Sequence, residues 1–325
     1  MWTSTMSEFE IIDKYFRPLT MGHEGTVGLR DDAAVIEVPH DHELVVTSDT
    51  LNEGVHFLNG EAPENIARKA LRVNLSDLAA MGAAPLCYQL NIAFPHKPDE
   101  AWLSMFSNAL VEDNLRYNIF CSGGDTTSIQ GDNLSVSVTA MGTVPKGQAV
   151  RRGGAKAGDL IVVTGCVGDA ALGLKSLQNG LGEEQYKESI GRYLVPMPRV
   201  NCIEVIRWYA DATTDISDGL IADCLHIAKA SRLGAEIDIE KINFSQEVNR
   251  AIDDGLYSIE EAITGGDDYE LILAVSKGNI KSLLGELQKI NLYPMVIGHF
   301  LDSDLSLKFI NTMGIDISKT GWKHF

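Results

Sequence analysis

Residues 133–141, NLSVSVTAM, alternate without a break. Leu134, Val136, Val138 and Ala140 fall on one face, and Ser135, Ser137 and Thr139 on the other. A period of two is the mark of a half-buried strand, so the chain must supply a sheet with one covered face. Further strands are predicted at 34–38 (AVIEV), 43–48 and 86–92. A helix fits 63–81, where Pro63 suits the first turn and Gly82 the residue after the last. A second helix fits 99–116.

The stretch 145–158, PKGQAVRRGGAKAG, interrupts this pattern with four glycines and four basic residues. It marks a domain boundary, giving segments 1–148 and 149–325, and 325 residues suit two domains. Beyond it, DLIVVTG reads as a buried strand feeding a helix from about residue 169 through Gly165 and Gly168. Strands are predicted again at 235–239, 269–275, 293–300 and 305–310, with helices at 198–210, 219–233 and 277–290. Strands and helices mingle without strict alternation, so an α+β or mixed α/β class fits better than a barrel. NLSDLAAMG (74–82) and DISDGLIAD (215–223) form a faint echo between the halves, each followed some way on by Gly-Gly-Asp.

Charge narrows the partners. The 45 acids against 27 basic residues leave a formal charge of −18, which repels nucleic acid and anionic membranes. An anionic substrate is repelled too, unless cations intervene. The five cysteines (Cys87, Cys121, Cys166, Cys202 and Cys224) are odd in number and contain no C-x-x-C. That usage suits reduced, mostly buried thiols rather than a disulfide or zinc framework. The first residues, MWTSTMSEFEIIDKYF, lack a basic start followed by an apolar run. No stretch approaches the ~18 apolar residues of a membrane span. The expectation is a cytoplasmic protein.

Six separated stretches place acids beside small or turn-forming residues. They are RDDAAV (30–35), TSDT (47–50), NLSD (74–77), SGGDTT (122–127), DISDGL (215–220) and TGGDDYEL (264–271). Each alone has an ordinary reading. Asp218 could cap a helix, Asp31 and Asp32 could form an Asx turn, and Asp77 could be a solvated helix residue. Together they point elsewhere. Asp49 and Asp125 follow predicted strands, where a loop can present a side chain. The Gly-Gly-Asp segments let backbone N–H groups approach a ligand closely. Asp77 follows Asn74 by three residues and shares its helix face. Magnesium takes hard oxygen ligands, and typically only one or two carboxylates per ion beside phosphates and water. Several aspartates from several segments therefore suit two or more Mg²⁺ ions holding a polyphosphate. The chain has no G-x-x-x-x-G-K-[ST], H-R-D, G-x-S-x-G or H-E-x-x-H motif, and no EF-hand spacing. Acids that hold Mg²⁺, which in turn holds anions, would also reconcile the negative charge with an anionic substrate.

Other residues stay open on sequence alone. Gly165 to Gly168 could bind phosphate at a helix start or form a plain turn. Arg151 and Arg152 could touch a phosphate or decorate the linker. His56, closing TSDTLNEGVHF (47–57), could contact a ligand or be a satisfied strand-end histidine. Trp322 could pin the C-terminal segment GWKHF.

The set RDDAAV, TSDTLNEGVHF, NLSDLAAMGAAP, GGDTT, DISDGL and GGDDYEL resembles the thiamine-monophosphate kinase family of the aminoimidazole-ribonucleotide-synthetase-like superfamily. The match runs from about residue 8 onward in the family's motif order. The resemblance implies ATP-dependent phosphorylation of thiamine monophosphate to thiamine diphosphate. It implies a metal set of Asp32, Thr47, Ser48, Asp49, Asp77, Asp125, Asp215 and Asp218. Gly124, Asp125, Arg152 and Ser217 would meet the nucleotide, and His56, Asp267 and Trp322 the thiamine phosphate. It further implies a homodimer whose N-terminal domains form a β-barrel, and a C-terminal α/β domain closing the active-site cleft. Two departures stand out: Arg30 replaces the usual glycine of the first motif, and Asp267 the usual glutamate of the sixth. The acceptor is a phosphate monoester, mostly dianionic near neutral pH because its second pKa is about 6. It needs no general base, so direct in-line transfer is expected. Other superfamily activities and a silent ATP- or metal-binding sensor are the competing readings.

Overall fold

The computed structural model describes residues 6–303, 305–312 and 321. The chain divides into two compact units, Met1–Leu78 with Ala83–Gly147, and Ala79–Gly82 with Gln148–Phe325. The class is mixed α/β in both.

In the first unit, α1 (Glu8–Ile11) leads through a π turn (Ile12–Phe16) into two 3-10 segments, Arg17–Thr20 and Glu24–Leu29. Then follow β1 (His42–Asn52), α2 (Pro63–Ala80), β2 (Ala84–Phe94), α3 (Glu100–Tyr117), β3 (Phe120–Ser128) and β4 (Ser135–Pro145). The strand order is β1-β4-β2-β3. β4 runs antiparallel to both neighbours, whereas β3 is parallel to β2 and is reached through α3. The alternating segment is thus a central strand, with Val136, Val138, Ala140 and Val144 fully buried on one face. Among the described residues the four strands form an open sheet. Asp99 starts α3 by accepting the Trp102 N–H at 2.6 Å, and Asn118, at φ 51°, ends it. The predicted strand at 34–38 is absent, because AVIEV is irregular here. Val35 is 75% exposed, and its N–H goes to the Gly25 carbonyl rather than into a ladder.

The second unit contains β5 (Leu160–Val163), α4 (Asp169–Asn179), α5 (Lys187–Leu194), α6 (Ile203–Tyr209), β6 (Ala212–Asp215) and α7 (Leu220–Ser231). It continues with β7 (Gly234–Asp238), α8 (Gln246–Asp253), α9 (Ile259–Thr264), β8 (Leu271–Val275), α10 (Ile280–Lys289), β9 (Met295–Leu301) and β10 (Leu307–Ile310). The six strands take the order β10-β7-β9-β5-β8-β6, antiparallel except for β10 beside β7. Strands β5 (LIVV) and β8 (LILAV) read as unbroken apolar runs because both faces of the sheet are covered there. Ile161, Val163, Ile272 and Ala274 join one core with Leu220, Cys224 and Ile227 of α7. Val162, Leu271, Leu273 and Val275 join another with Ile206 of α6 and Leu283 and Leu287 of α10. All five cysteines are free thiols, four of them buried. No described helix is long and apolar enough to cross a membrane.

Candidate active site

Asp49 and Asp125 lie inside strands, not in loops after them as the sequence suggested. Their rows in the sheet differ. Asp49 stands opposite Val138 of β4, which stands opposite Leu90 of β2. Asp125 stands opposite Asn91, which faces Ser137, which faces Thr50. Neighbouring rows point to opposite faces of a pleated sheet, so the two aspartates belong to separate groups.

The first group sits where β1 meets α2. Thr47 Oγ1 donates to Asp77 Oδ2 at 2.5 Å. Asp49, two residues along the same face, meets Asp77 carboxyl to carboxyl. Burial pushes the Asp49 pKa up to about 6, and the Asp77 charge and their shared hydrogen bond push the same way. One turn before Asp77, the fully buried Asn74 donates to the Ala70 carbonyl at 3.1 Å, while its Oδ1 has no hydrogen-bond partner. Ser48, between Thr47 and Asp49, faces the other way and pairs with Thr139 Oγ1 at 2.9 Å. The Thr47–Asp49–Asp77 donor set is all hard oxygen and short of positive charge, which fits Mg²⁺.

The second group lines a cavity of about 440 Å³. Asp31, Asp32, Gly124 and Asp125 border it together with Gln89, Asn91 and the apolar Ile12, Phe16, Leu29, Ile36 and Met141. At Gly124, φ is 154°, and a Cβ would come within 1.8 Å of the Leu90 carbonyl oxygen, so only glycine lets β3 run here. The Asp32 N–H donates to Asp31 Oδ1 at 2.9 Å, a bond to the adjacent residue rather than the two-residue bond of an Asx turn. Arg30 has φ −112°, which any residue adopts, so this chain does not need glycine there. Its guanidinium pairs with Asp13 at 3.2 Å.

His56 closes the turn after β1. Its Nδ1 accepts the Asn52 N–H at 3.0 Å, and Lys69 Nζ donates to the His56 carbonyl at 2.8 Å. Glu53 is structural, accepting the N–H groups of Leu134 and Gly60 at 3.0 and 3.2 Å.

In the second unit, β6 ends at the buried Asp215, and the chain then turns through Ser217, Asp218 and Gly219 into α7. Asp218 does not cap this helix. Asp223 from within α7 reaches back, and its Oδ2 accepts the N–H groups of Ser217, Asp218 and Gly219 at 3.0, 3.0 and 3.2 Å. Burial pushes the Asp223 pKa up to about 7 despite these bonds. Ligand atoms of Asp218, Asp223 and His226 lie within 4.8 Å of one another. Burial lowers the His226 pKa, and the Arg152 charge adds to this. Arg152 Nε donates to Thr214 Oγ1 at 3.1 Å. From the sixth motif, the Asp267 N–H donates to the Ser217 carbonyl at 3.0 Å, and Tyr269 donates its hydroxyl to Asp267 Oδ1 at 3.2 Å. Asp267 sits at φ 69°, a left-handed region that aspartate enters more readily than longer side chains. Trp322 lies outside the described residues. Gly321 before it packs so tightly that a Cβ would come within 2.6 Å of Ala222 Cβ and 2.7 Å of the Asp218 carbonyl oxygen.

The helix start after Gly165–Gly168 proves to be occupied by protein. The buried Asp268 accepts the N–H groups of Gly168 and Ala170 at 2.7 and 3.2 Å. A carboxylate already sits where a phosphate would bind. Asp223 and Asp268 lacked a strong signal in the sequence. For Asp223 the available hint was an acid four residues after Gly219, one helical turn inside the predicted helix.

Comparison with known proteins follows the same division. Residues 30–144 match the N-terminal domain of the AIR synthase related protein family, and residues 156–309 match its C-terminal domain. Thiamine-monophosphate kinase from Caulobacter vibrioides is 37% identical over 321 residues, covering 98% of this chain and 91% of that one. The crystal structure of thiamine-monophosphate kinase from Stenotrophomonas maltophilia K279a is 36% identical, with a TM-score of 0.84 over 94% of this chain and 97% of that one. A structure of AaThiL complexed with AMPPCP and TMP is 30% identical, with a TM-score of 0.78, and both chains are covered completely. The chain belongs to the thiamine-monophosphate kinase family, within the AIR synthase related proteins.

Proposed function

We propose that the protein transfers the γ-phosphoryl group of ATP directly to the phosphate of thiamine monophosphate, giving thiamine diphosphate and ADP with the help of several Mg²⁺ ions. The observation that carries this reading is the Thr47–Asp49–Asp77 group, where two carboxyls are pressed together in a chain of this family. Bound Mg²⁺ would supply the positive charge that lets two anionic phosphates meet in line. Thr47, Ser48, Asp49, Asp77, Asp32, Asp125, Asp215 and Asp218 form the proposed metal-holding set. Asp49 contributes most when ionised, which a cation beside it favours.

Gly124, Asp125, Arg152 and Ser217 are the proposed nucleotide contacts. Gly124 lets the β3 backbone approach closely, and Arg152 offers a guanidinium suited to phosphate. His56, Asp267 and Trp322 are the proposed acceptor contacts. The thiazolium ring is a permanent cation, and an aromatic face attracts it by roughly 0.5–2 kcal/mol. No side chain is assigned as general base, because the acceptor oxygen already carries charge near neutral pH.

We infer further that the first units of two copies pair into a β-barrel. The exposed Leu44 and Val46 on the edge strand β1 support this. Light scattering at micromolar concentration tests it, and a fully active monomer near 35 kDa would count against it. The free, mostly buried thiols suit a reducing cytoplasm.

Product analysis with ATP, Mg²⁺ and either thiamine monophosphate or free thiamine tests the activity. Thiamine diphosphate should form from the monophosphate alone. Rapid phosphorylation of free thiamine would overturn the mechanism, since a hydroxyl acceptor needs a base that these residues do not supply.

A further inference from the structure

Asp223 belongs to none of the roles assigned above, yet it is the buried centre of the turn that carries Ser217 and Asp218. Its side chain is only 1% exposed. One oxygen, Oδ2, gathers three successive N–H groups, those of Ser217, Asp218 and Gly219. Three donors converging on one carboxylate oxygen fix the peptide planes of the whole turn, because each strays only by giving up a bond to a buried carboxylate.

The opposite side of the turn is equally constrained. The Ser217 carbonyl accepts the Asp267 N–H at 3.0 Å, and Ile216 exchanges backbone bonds with Glu270 and Tyr269. Two glycines allow these strands of chain to close together. A Cβ at Gly266 would come within 2.2 Å of the Ser217 carbonyl oxygen, and one at Gly219 within 2.7 Å of the Thr264 carbonyl oxygen. The turn is therefore held between the α7 carboxylate and the backbone of 266–270. Its conformation sets where the Asp218 side chain leaves the main chain.

We propose that Asp223 is a positioning residue for the phosphoryl-transfer site, fixing the Ser217–Gly219 turn so that Asp218 is presented for metal binding. The proposal rests on the reading of Asp218 as a metal ligand. Asp223 acts through the backbone and needs no contact with substrate. An asparagine there keeps an acceptor oxygen of the same reach but without charge, whereas alanine removes the acceptor of all three donors, of which the Gly219 N–H is buried.

The test uses the full-length protein and steady-state kinetics with Mg²⁺ titration for Asp223→Asn, Asp223→Ala, Asp218→Asn and the double variant Asp218→Asn/Asp223→Asn. Asp223→Asn should stay folded, lower kcat tenfold or more, and raise the Mg²⁺ concentration for half-maximal rate several-fold. Asp223→Ala should lose at least tenfold more. The double variant should be no slower than Asp218→Asn alone, because positioning a side chain that no longer binds metal gains nothing. Independent, multiplying losses in the double variant would overturn the proposal. So would an Asp223→Asn protein that melts earlier but keeps normal kcat and Mg²⁺ dependence while Asp218→Asn is crippled. If Asp218→Asn itself keeps normal turnover and Mg²⁺ dependence, the metal reading of Asp218 fails and the proposal falls with it.

Discussion

Asp49 and Glu270 are both carboxylates placed in or beside a sheet, and the protein treats them in opposite ways. Glu270, in the second unit, is 2% exposed and takes a two-pronged ion pair from Arg199 together with the Thr164 hydroxyl at 2.6 Å. Asp113 in the first unit is handled likewise, with Arg72 donating twice at 2.7 Å and Arg68 once at 3.1 Å. At Asp49, burial, the Asp77 charge and the shared hydrogen bond all oppose ionisation. Glu270 and Asp113 each have arginine partners, whereas Asp49 and Asp77 are set against each other, and this contrast is what the proposed Mg²⁺ site would explain.

The largest expected effect that could break this contrast is on turnover. Chelation should abolish activity and Mg²⁺ restore it. Asp49→Asn should cut kcat by about 100-fold or more, in keeping with the several kcal/mol that metal-assisted charge stabilisation supplies. Near-normal turnover of this variant at limiting Mg²⁺ would place Asp49 with the structural acids.

Next in size is the loss of an ion pair. Arg199→Ala strands a buried Glu270 and should cost about 3–5 kcal/mol of stability. Urea or thermal unfolding would register it, and a loss under about 1 kcal/mol would show that Glu270 is not held mainly by charge. Smaller, and opposite in sign, is the effect of Asp49→Asn on the metal-free protein. Removing one of two opposed acids should raise the melting temperature by about 2–4 °C, the shift that ~1 kcal/mol produces in a domain of this size. A fall instead would mean that the Asp49–Asp77 contact stabilises the fold.

The smallest effect is a slope against pH. The Asp49 pKa is near 6 in the folded chain and about 3.9 when unfolded. Between these values the folded state holds a proton that the unfolded state has released. The associated stability is complete below about pH 4 and is lost as pH rises through about 6. Metal-free wild type should therefore lose stability relative to Asp49→Asn across this window, and saturating Mg²⁺ should remove the difference. A wild-type curve parallel to that of Asp49→Asn would show that Asp49 titrates normally.

Much of the architecture was legible in advance. The period of two at 134–140 fixed a strand that proved central, and the helices expected at 63–81 and 99–116 form over Pro63–Ala80 and Glu100–Tyr117. A strand is expected to end before Asp125, and its run on through GGDTTS escaped because that segment has poor strand propensity and pairs only with its neighbour β2. β6 escaped because ATTD is four residues long and buried on both faces, so it has no alternation. AVIEV misled in the other direction, since a strand-like composition forms no strand without a partner. The acids of the site were visible one by one. Which acid meets which was not, because the Thr47–Asp77 bond spans 30 positions and depends on how α2 packs on β1.

The pairing of β1 with β4 has a consequence for the order in which the protein can be made. His42 finds its sheet partner in Pro145, so β1 must wait for nearly the whole first unit to leave the ribosome. Until then, the segment that carries Thr47 and Asp49 has no ladder to join, and closing so long a loop slows folding. The strand that carries Thr47 and Asp49 is thus among the last parts of its unit to be seated, and a chain stopped before Ser135 has no β4 for it to join.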